Sequence, residues 1–262
     1  VSLRHELCQG DCEVWLHQLR DEPIACIFAD PPDNIDLGYG EYKDKMPRLE
    51  YINKLLTWIE LFVSKAPTVW MSFNAKWTVD MGWICAGLAA RWAGAGLQIK
   101  PCVQVFTFGQ HRHTDLGNNH RPLWRFQRSD AALYPDDIRV QSERQRAGDK
   151  RADPRGRVPG DVFDFTRVVG NDKERRKWHP TQLREGLVER CIKLTTQPGE
   201  WVVDPFGGTG TTMRVARRIG RASTLIEIDP NYCKEIAAEH GMTRRESGKF
   251  SKWVLEEDGA EK

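Results

Sequence analysis

Hydrophobic residues along this chain fall in short blocks separated by polar turns that carry glycine and proline. The blocks at 3–8, 24–29, 68–73, 97–108, 201–203 and 223–227 read as strands. Those that are apolar without interruption, such as 24–29, read as strands buried on both faces. Between the strands apolar residues recur at helical spacing. A short helix carries Val14, Leu16 and Leu19 after a tight turn at Gly10-Asp11. A longer one, with Pro47 suited to its first position, carries Leu49, Ile52, Leu55, Leu56, Ile59, Phe62 and Val63. Helices are also predicted over 75–93, 181–195 and 212–219, and after Asp229-Pro230. Alternating strands and helices of these lengths predict an α/β fold with a mostly parallel sheet covered by helices on both faces. The periodicity breaks over 127–178, which is polar, arginine-rich and punctuated by Pro135, Pro154 and Pro159. A segment this long without regular structure is read as a functional insertion within a single domain spanning 1–262. The tail after Gly241 is polar and predicted to fray, and no internal repeat is present.

Composition narrows this only slightly. Apolar residues at 40% and charged residues at 29% are ordinary for a soluble globular domain. The net charge of +2 does not by itself imply a nucleic-acid partner. Its distribution says more. Arg139, Arg144, Arg146, Lys150, Arg151, Arg155 and Arg157 stand in one stretch against Glu143, Asp149 and Asp153. A local excess of this kind attracts phosphates; taken alone, it also fits a solvated loop. The cysteines are odd in number, scattered and without a Cys-x-x-Cys pair, which points to a reducing compartment and away from a disulfide scaffold or zinc site. No basic leader precedes an apolar stretch and no run of about 18 apolar residues occurs, so a cytoplasmic protein without a membrane partner is expected.

Chemistry concentrates at two strand ends. Asp204-Pro205-Phe206-Gly207-Gly208-Thr209-Gly210 follows one apolar run and leads into a helix. Glycine lets backbone approach a ligand closely, and a helix N-terminus offers free N–H groups. The dinucleotide pattern G-x-G-x-x-G fails because Met213 stands at its third glycine, and the phosphate-binding G-x-x-x-x-G-K-[ST] pattern has no match. A loop without a phosphate-binding lysine suits a ligand bearing a carboxylate and a sulfonium better than a pyrophosphate. Glu227, closing the next strand, is placed to take both hydroxyls of a ribose. Asp11 has two readings: an acceptor for an adenine amino group, or a helix N-cap. The second corner is Asp30-Pro31-Pro32-Asp33. An aromatic amine is a poor nucleophile because its lone pair is delocalised into the ring. Methylating it requires acceptors for both N–H bonds that draw the lone pair out of the ring plane. Asp30 supplies a carboxylate, and the prolines, with φ fixed and no N–H, can hold the Pro31 carbonyl as the second acceptor.

Together these motifs resemble the β-group of S-adenosylmethionine-dependent DNA amino-methyltransferases, which place an Asp-Pro-Pro-aromatic motif before a Phe-x-Gly-x-Gly motif. The likeness runs through Gly10-Asp11-Cys12, Asp30-Pro31-Pro32 and Trp178-His179-Pro180-Thr181-Gln182. It continues through Pro198-Gly199-Glu200 and the glycine loop to Ile226-Glu227-Ile228-Asp229-Pro230. It implies a Rossmann-like seven-stranded α/β sheet with helices on both faces and circularly permuted motif order, S-adenosylmethionine as cofactor and DNA as partner, and it allows a homodimer. It further implies Asp30, Pro31 and Pro32 at the target amine, Asp11 at the cofactor adenine and Glu227 at the ribose. Asp204, Phe206, Gly208, Gly210 and Thr211 would surround the methionine end, with Thr181 and Gln182 near its carboxylate.

The chain departs from the family at two places. Asp33 stands where the family usually has the aromatic residue that stacks on the extruded base, so Tyr39 or Tyr42 is expected to substitute from the same loop. Such stacking is worth about 1–3 kcal/mol per base. Asp33 itself stays among the catalytic candidates. Leu183-Arg184 replaces the usual Lys-Pro. The implied activity is methylation of adenine N6 in DNA by base flipping, because the family's cytosine-N4 enzymes more often carry Ser at position 30. The insertion at 127–178 would grip phosphates and read sequence. The loop with His111, His113, Asn118, Asn119 and His120 reads as a polar strand connection beside the same crevice, not a metal site. The alternatives are cytosine-N4 methylation and a catalytically weak nucleic-acid-binding module retaining the cofactor pocket. A nicotinamide dehydrogenase conflicts with the glycine spacing. Neither a recognition sequence nor a partner endonuclease can be read from these residues.

Overall fold

The computed structural model describes residues 3–40, 42–106, 113–247 and 250–257. The first half contains β1 (Leu3–Gln9), α1 (Cys12–Leu16) and β2 (Ile24–Ala29), then a small hairpin of β3 (Gly38–Tyr39) and β4 (Tyr42–Lys43). After it come α2 (Arg48–Lys65), β5 (Thr68–Ser72), α3 (Thr78–Arg91), β6 (Gln98–Lys100), β7 (Val103–Val105) and β8 (His120–Gln127). The second half holds α4 (Glu143–Arg146), β9 (Val162–Asp164), α5 (Glu185–Thr195), β10 (Trp201–Asp204), α6 (Thr211–Arg218) and β11 (Ala222–Glu227). It ends with α7 (Pro230–His240), β12 (Thr243–Ser247) and β13 (Phe250–Glu257).

One mixed sheet organises the molecule, in the order β12-β13-β1-β11-β10-β2-β5-β8-β7-β9, with β6 also paired to β8. Its centre, β1-β11-β10-β2-β5, is parallel throughout. Side-chain alternation sorts the two faces. Ile27, Ala29, Val69, Met71 and Val203 pack with α1, α2 and α3, whereas Cys26, Phe28, Trp70 and Val202 pack with α5 and α6. Leu7 and Leu225 meet α7 in a third cluster. Burial on both faces is why β2, β5 and β10 read as nearly continuous apolar runs, whereas β1 buries His5 and Glu6 as well. All seven cysteines are free and buried. Among the described residues no helix is long and apolar enough to cross a membrane.

The sheet is larger than the expected seven strands, for three physical reasons. Pro101 has no N–H to donate and splits the predicted 97–108 strand into β6 and β7; residues 107 and 108 lie outside those described. The tail after Gly241 does not fray. It forms the β12–β13 hairpin, pinned by Trp253 and Val254 in the core and by Lys252 on Glu6 at 2.5 Å. The stretch just before the insertion, for which no strand was predicted, forms β8, which runs antiparallel beside β5. Two helix starts also differ. Pro47 caps α2 in an extended conformation, outside its first turn. Residues 181–184 stay non-helical, with Arg184 extended before α5.

The arginine-rich insertion is ordered by local devices, not by periodicity. Ser142 and Gln145 form a reciprocal capping box on α4, Val140 bridges Arg157, and β9 adds to β7 in parallel.

Candidate functional site

Parallel strands in register bring their carboxyl ends to one edge of the sheet. Gln9 pairs with Glu227, Asp204 with Leu225, and Ala29 with Met71. Gly10, Asp30, Ser72, Asp204 and Glu227 therefore share that edge, although Asp30 and Asp204 are far apart in sequence. A cavity of about 740 Å³ opens there, and both the Asp30-Pro31-Pro32-Asp33 corner and the glycine loop line it.

On the glycine side, each acid holds backbone. Asp204 Oδ1 accepts from the Phe206 N–H at 2.9 Å, and its Oδ2 accepts from the Thr212 hydroxyl at 2.5 Å. Burial pushes its carboxyl up to about 8. Glu227 accepts from the Gly208 N–H at 2.7 Å through Oε2 and from the Asp229 N–H at 2.8 Å through Oε1. Burial likewise raises it to about 7. Gly208, at φ +50°, turns the loop so that this N–H reaches Glu227. Gly210 does not line the cavity. At φ +74° it caps α6, and a Cβ there would meet Ile236 at 3.3 Å. Phe206 borders the cavity but turns its ring edge-on to Trp58 of α2, with centroids 4.9 Å apart. Thr211 lines the cavity and accepts from Arg214 at 3.0 Å.

Asp11 fulfils the capping reading, accepting from the Glu13 N–H at 2.8 Å, and also lines the cavity. Thr181 and Gln182 reach it from the loop before α5. The Gln182 side chain is tied within that loop to the Arg176 N–H and the Glu174 carbonyl. His179 is a lining residue that the site reading did not single out, although its motif was visible. Its Nδ1 donates to the Thr181 carbonyl at 2.6 Å, and its ring packs between Tyr39 and Tyr232, at 5.6 and 4.7 Å. Burial lowers it to about 4, so the imidazole is neutral near pH 7.

At the acidic corner, the Tyr51 hydroxyl donates to the Pro32 carbonyl at 2.6 Å, and the Trp77 indole donates to the Asp33 carbonyl at 2.7 Å. The segment after it is clamped by the buried Asp44, which accepts from the Asn34, Ile35 and Leu37 N–H groups. This sets the β3–β4 hairpin so that Tyr39 and Tyr42, paired in register, both line the cavity. Asp33 borders the cavity with the rest of the corner, but its carboxylate is turned to other protein groups. It is 5% exposed and bound to Arg121. Arg121 is the residue sequence reasoning missed. It sits on β8, where the apolar Leu123, Trp124 and Phe126 were a signal for a strand but not for this arginine's role.

None of Arg139, Arg144, Arg146, Lys150, Arg151, Arg155 and Arg157 lines the cavity. Arg139, Arg151 and Arg155 are paired with Asp136, Asp149 and Asp153. The segment is anchored by the Tyr134 N–H on the Leu194 carbonyl and by Gln197 on Asp137. Those anchors lie between α5 and the start of β10, at the opposite end of the strands from the cavity. The insertion residues that do reach the cavity are Arg167 to Gly170 and Arg175. Asn118 and His120 border it as well, His113 is exposed, and His111 lies outside the described residues.

A parallel α/β sheet with an acid-anchored glycine loop and a proline-stiffened acidic corner on one cavity defines a class that comparison makes specific. The chain matches the DNA methylase family N6_N4_Mtase over residues 24–239 and belongs to it. It is 35% identical to the type II methyltransferase M.BglII of Bacillus subtilis, across 87% of this chain and 66% of that protein. It thus spans just under two thirds of that relative's length. To the type II methyltransferase M.HpaI of Haemophilus parainfluenzae it is 27% identical, across 86% of this chain and 70% of that one. Solved structures share the fold. The cytosine-N4-specific PvuII DNA methyltransferase superposes with a TM-score of 0.64 at 18% identity, covering 88% of this chain and 84% of that one. The M1.HpyAVI–SAM complex gives 0.58 at 18% identity, covering 89% and 98%.

Proposed function

We propose that this protein transfers a methyl group from S-adenosylmethionine to the N6 amino group of adenine in DNA. The observation that carries the reading is the shared cavity, which sets the Asp30-Pro31-Pro32 corner across from the Gly208–Glu227 pair. The residues fit the cofactor. Glu227 offers a buried carboxyl acceptor suited to ribose hydroxyls, and Gly207 and Gly208 line the cavity without a side chain. Thr181, Gln182 and Thr211 would meet its amino-acid end, and Asp11 its adenine. When bound, S-adenosylmethionine supplies an electrophilic methyl group on a sulfonium.

The remaining steps belong to this chain. A base within a duplex cannot bring its amino group to the cavity, so it must be flipped out at a cost of a few kcal/mol. Tyr39 and Tyr42 supply ring faces for it. Asp30 accepts one amine N–H and the Pro31 carbonyl the other, so that the lone pair points at the methyl group. As the nitrogen lone pair forms the new N–C bond, the methyl–sulfur bond would break with its electron pair left on sulfur as a neutral thioether; the nitrogen, now cationic, gives one proton to Asp30, which passes it to solvent. Segment 127–178, within the same domain, contributes DNA contacts where Arg167 and Arg175 reach the cavity, and these positions suit phosphates flanking the flipped base. Asp30 supports adenine over cytosine on the family resemblance.

The test is transfer of labelled methyl from S-adenosylmethionine to duplex DNA, followed by nucleoside analysis. N6-methyladenine is expected. N4-methylcytosine in its place would overturn the base assignment, and no incorporation would overturn the reaction.

A further inference from the structure

Three charged side chains meet at the acidic corner, and the mechanism above uses only one of them. Arg121 donates through Nη2 to Asp30 Oδ1 at 2.7 Å and through Nη1 to Asp33 Oδ2 at 2.7 Å. Its Nη2 also reaches Asp33 Oδ1 at 3.1 Å, and its Nε donates to the Ser72 hydroxyl at 2.6 Å. Asp33 Oδ1 takes a further N–H from Asn74 at 2.8 Å. The planar guanidinium fork is thus spent on two carboxylates and a hydroxyl, a geometry that a lysine point charge cannot reproduce. Antiparallel pairing of β8 with β5, Leu123 opposite Ser72, delivers Arg121 to this spot.

Charge makes the arrangement more than a brace. Arg121 beside Asp30 alone would be a neutral pair, with little negative charge left to face an amine that turns cationic as it is methylated. Asp33 binds the guanidinium in bidentate fashion and restores one net negative charge to the group. Resting on the methyl-transfer reading, we propose that Arg121 is a positioning residue for Asp30 and that Asp33 is its counter-ion. The pair fixes one oxygen of Asp30 and leaves the other for the target amine. Asp33 then has no direct part with the base, which accounts for an acid at a position where the related family has an aromatic residue.

The charged and titratable groups facing Asp30 are Arg121 from β8, Asp33 from its own loop, Asp204 from β10 and Tyr39 from the hairpin. Burial raises the Asp30 carboxyl, Arg121 draws it down, and Asp33 raises it. Removing either partner therefore moves Asp30 in opposite directions. The experiment measures single-turnover methyl transfer against pH, with cofactor affinity, for wild type, Arg121→Met, Arg121→Lys and Asp33→Asn. Arg121→Met is expected to slow the chemical step about 100-fold, the scale of a roughly 1 Å misplacement. Its acidic limb should shift to higher pH, with cofactor affinity kept within about threefold, and Arg121→Lys should recover part of the rate. Asp33→Asn should slow the step less and shift the limb to lower pH. Limbs that move in the same direction, or Arg121 variants with wild-type rates, overturn the proposal. If Arg121→Met does not fold, Arg121→Lys and Asp33→Asn still decide it. Wild type without methyl transfer indicts the underlying reaction instead, and so separates the two failures.

Discussion

Glu227→Gln separates the electrostatic cost of the buried acid from its use. The Glu227 side chain, 7% exposed, accepts two backbone N–H groups, yet burial still lifts its carboxyl from 4.5 to about 7. The folded protein thus holds this proton more tightly than the unfolded chain does. Stability from this group is full below pH 4.5 and declines as pH rises toward 7, where the loss levels off. The displacement corresponds to about 3 kcal/mol. Glutamine carries no charge at any pH. It offers one carbonyl oxygen to two N–H groups, a penalty that does not vary with pH and so drops out of the comparison. Asp204, raised to about 8, titrates in both proteins and cancels to first order. Urea unfolding of cofactor-free wild type and variant at pH 5 and pH 8.5 provides the assay. The stability of the variant relative to wild type should rise by ~2–3 kcal/mol between the two conditions. Cofactor affinity should meanwhile fall about 10- to 100-fold, from loss of a charged acceptor. A stability difference that does not change with pH would refute the reasoning about the buried charge.

Other substitutions probe the rest of the site. Asp30→Ala should reduce methyl transfer by at least about 100-fold with cofactor binding retained, measured by labelled transfer and by equilibrium binding. Tyr39→Ala should weaken DNA binding by ~1–3 kcal/mol while Tyr39→Phe spares it; equal losses would point to the hydroxyl instead of the ring. Replacing Arg167 and Arg175 by Ala should flatten the salt dependence of DNA affinity by about one logarithmic slope unit per lost phosphate contact, whereas Arg144→Ala with Lys150→Ala should leave it nearly unchanged. Gly210→Ala places a side chain at φ +74° and 3.3 Å from Ile236, and should cost ~1–2 kcal/mol, read as a lowered Tm.

Features that depend on near neighbours are legible in the order of residues alone. Nearly continuous apolar runs named β2, β5 and β10 because helices cover both faces, so their signal needs no partner to be read. The two Asp-Pro corners were legible for the same reason: strand, turn and helix follow one another locally, and parallel pairing then sends every such turn to one edge. Capping of α1 by Asp11 was equally visible. Tertiary structure alone decided which distant charges meet. Arg121 reaches Asp30 and Asp33 across 91 and 88 residues, and nothing local distinguishes it from the arginines around it. It also decided that Lys252 neutralises Glu6 and so secures the C-terminal hairpin. The basic stretch of 139–157 was legible in sequence, whereas its place off the cavity lining follows from its anchors on the end of α5. Charge density is a local property, but the direction in which it faces is set by packing.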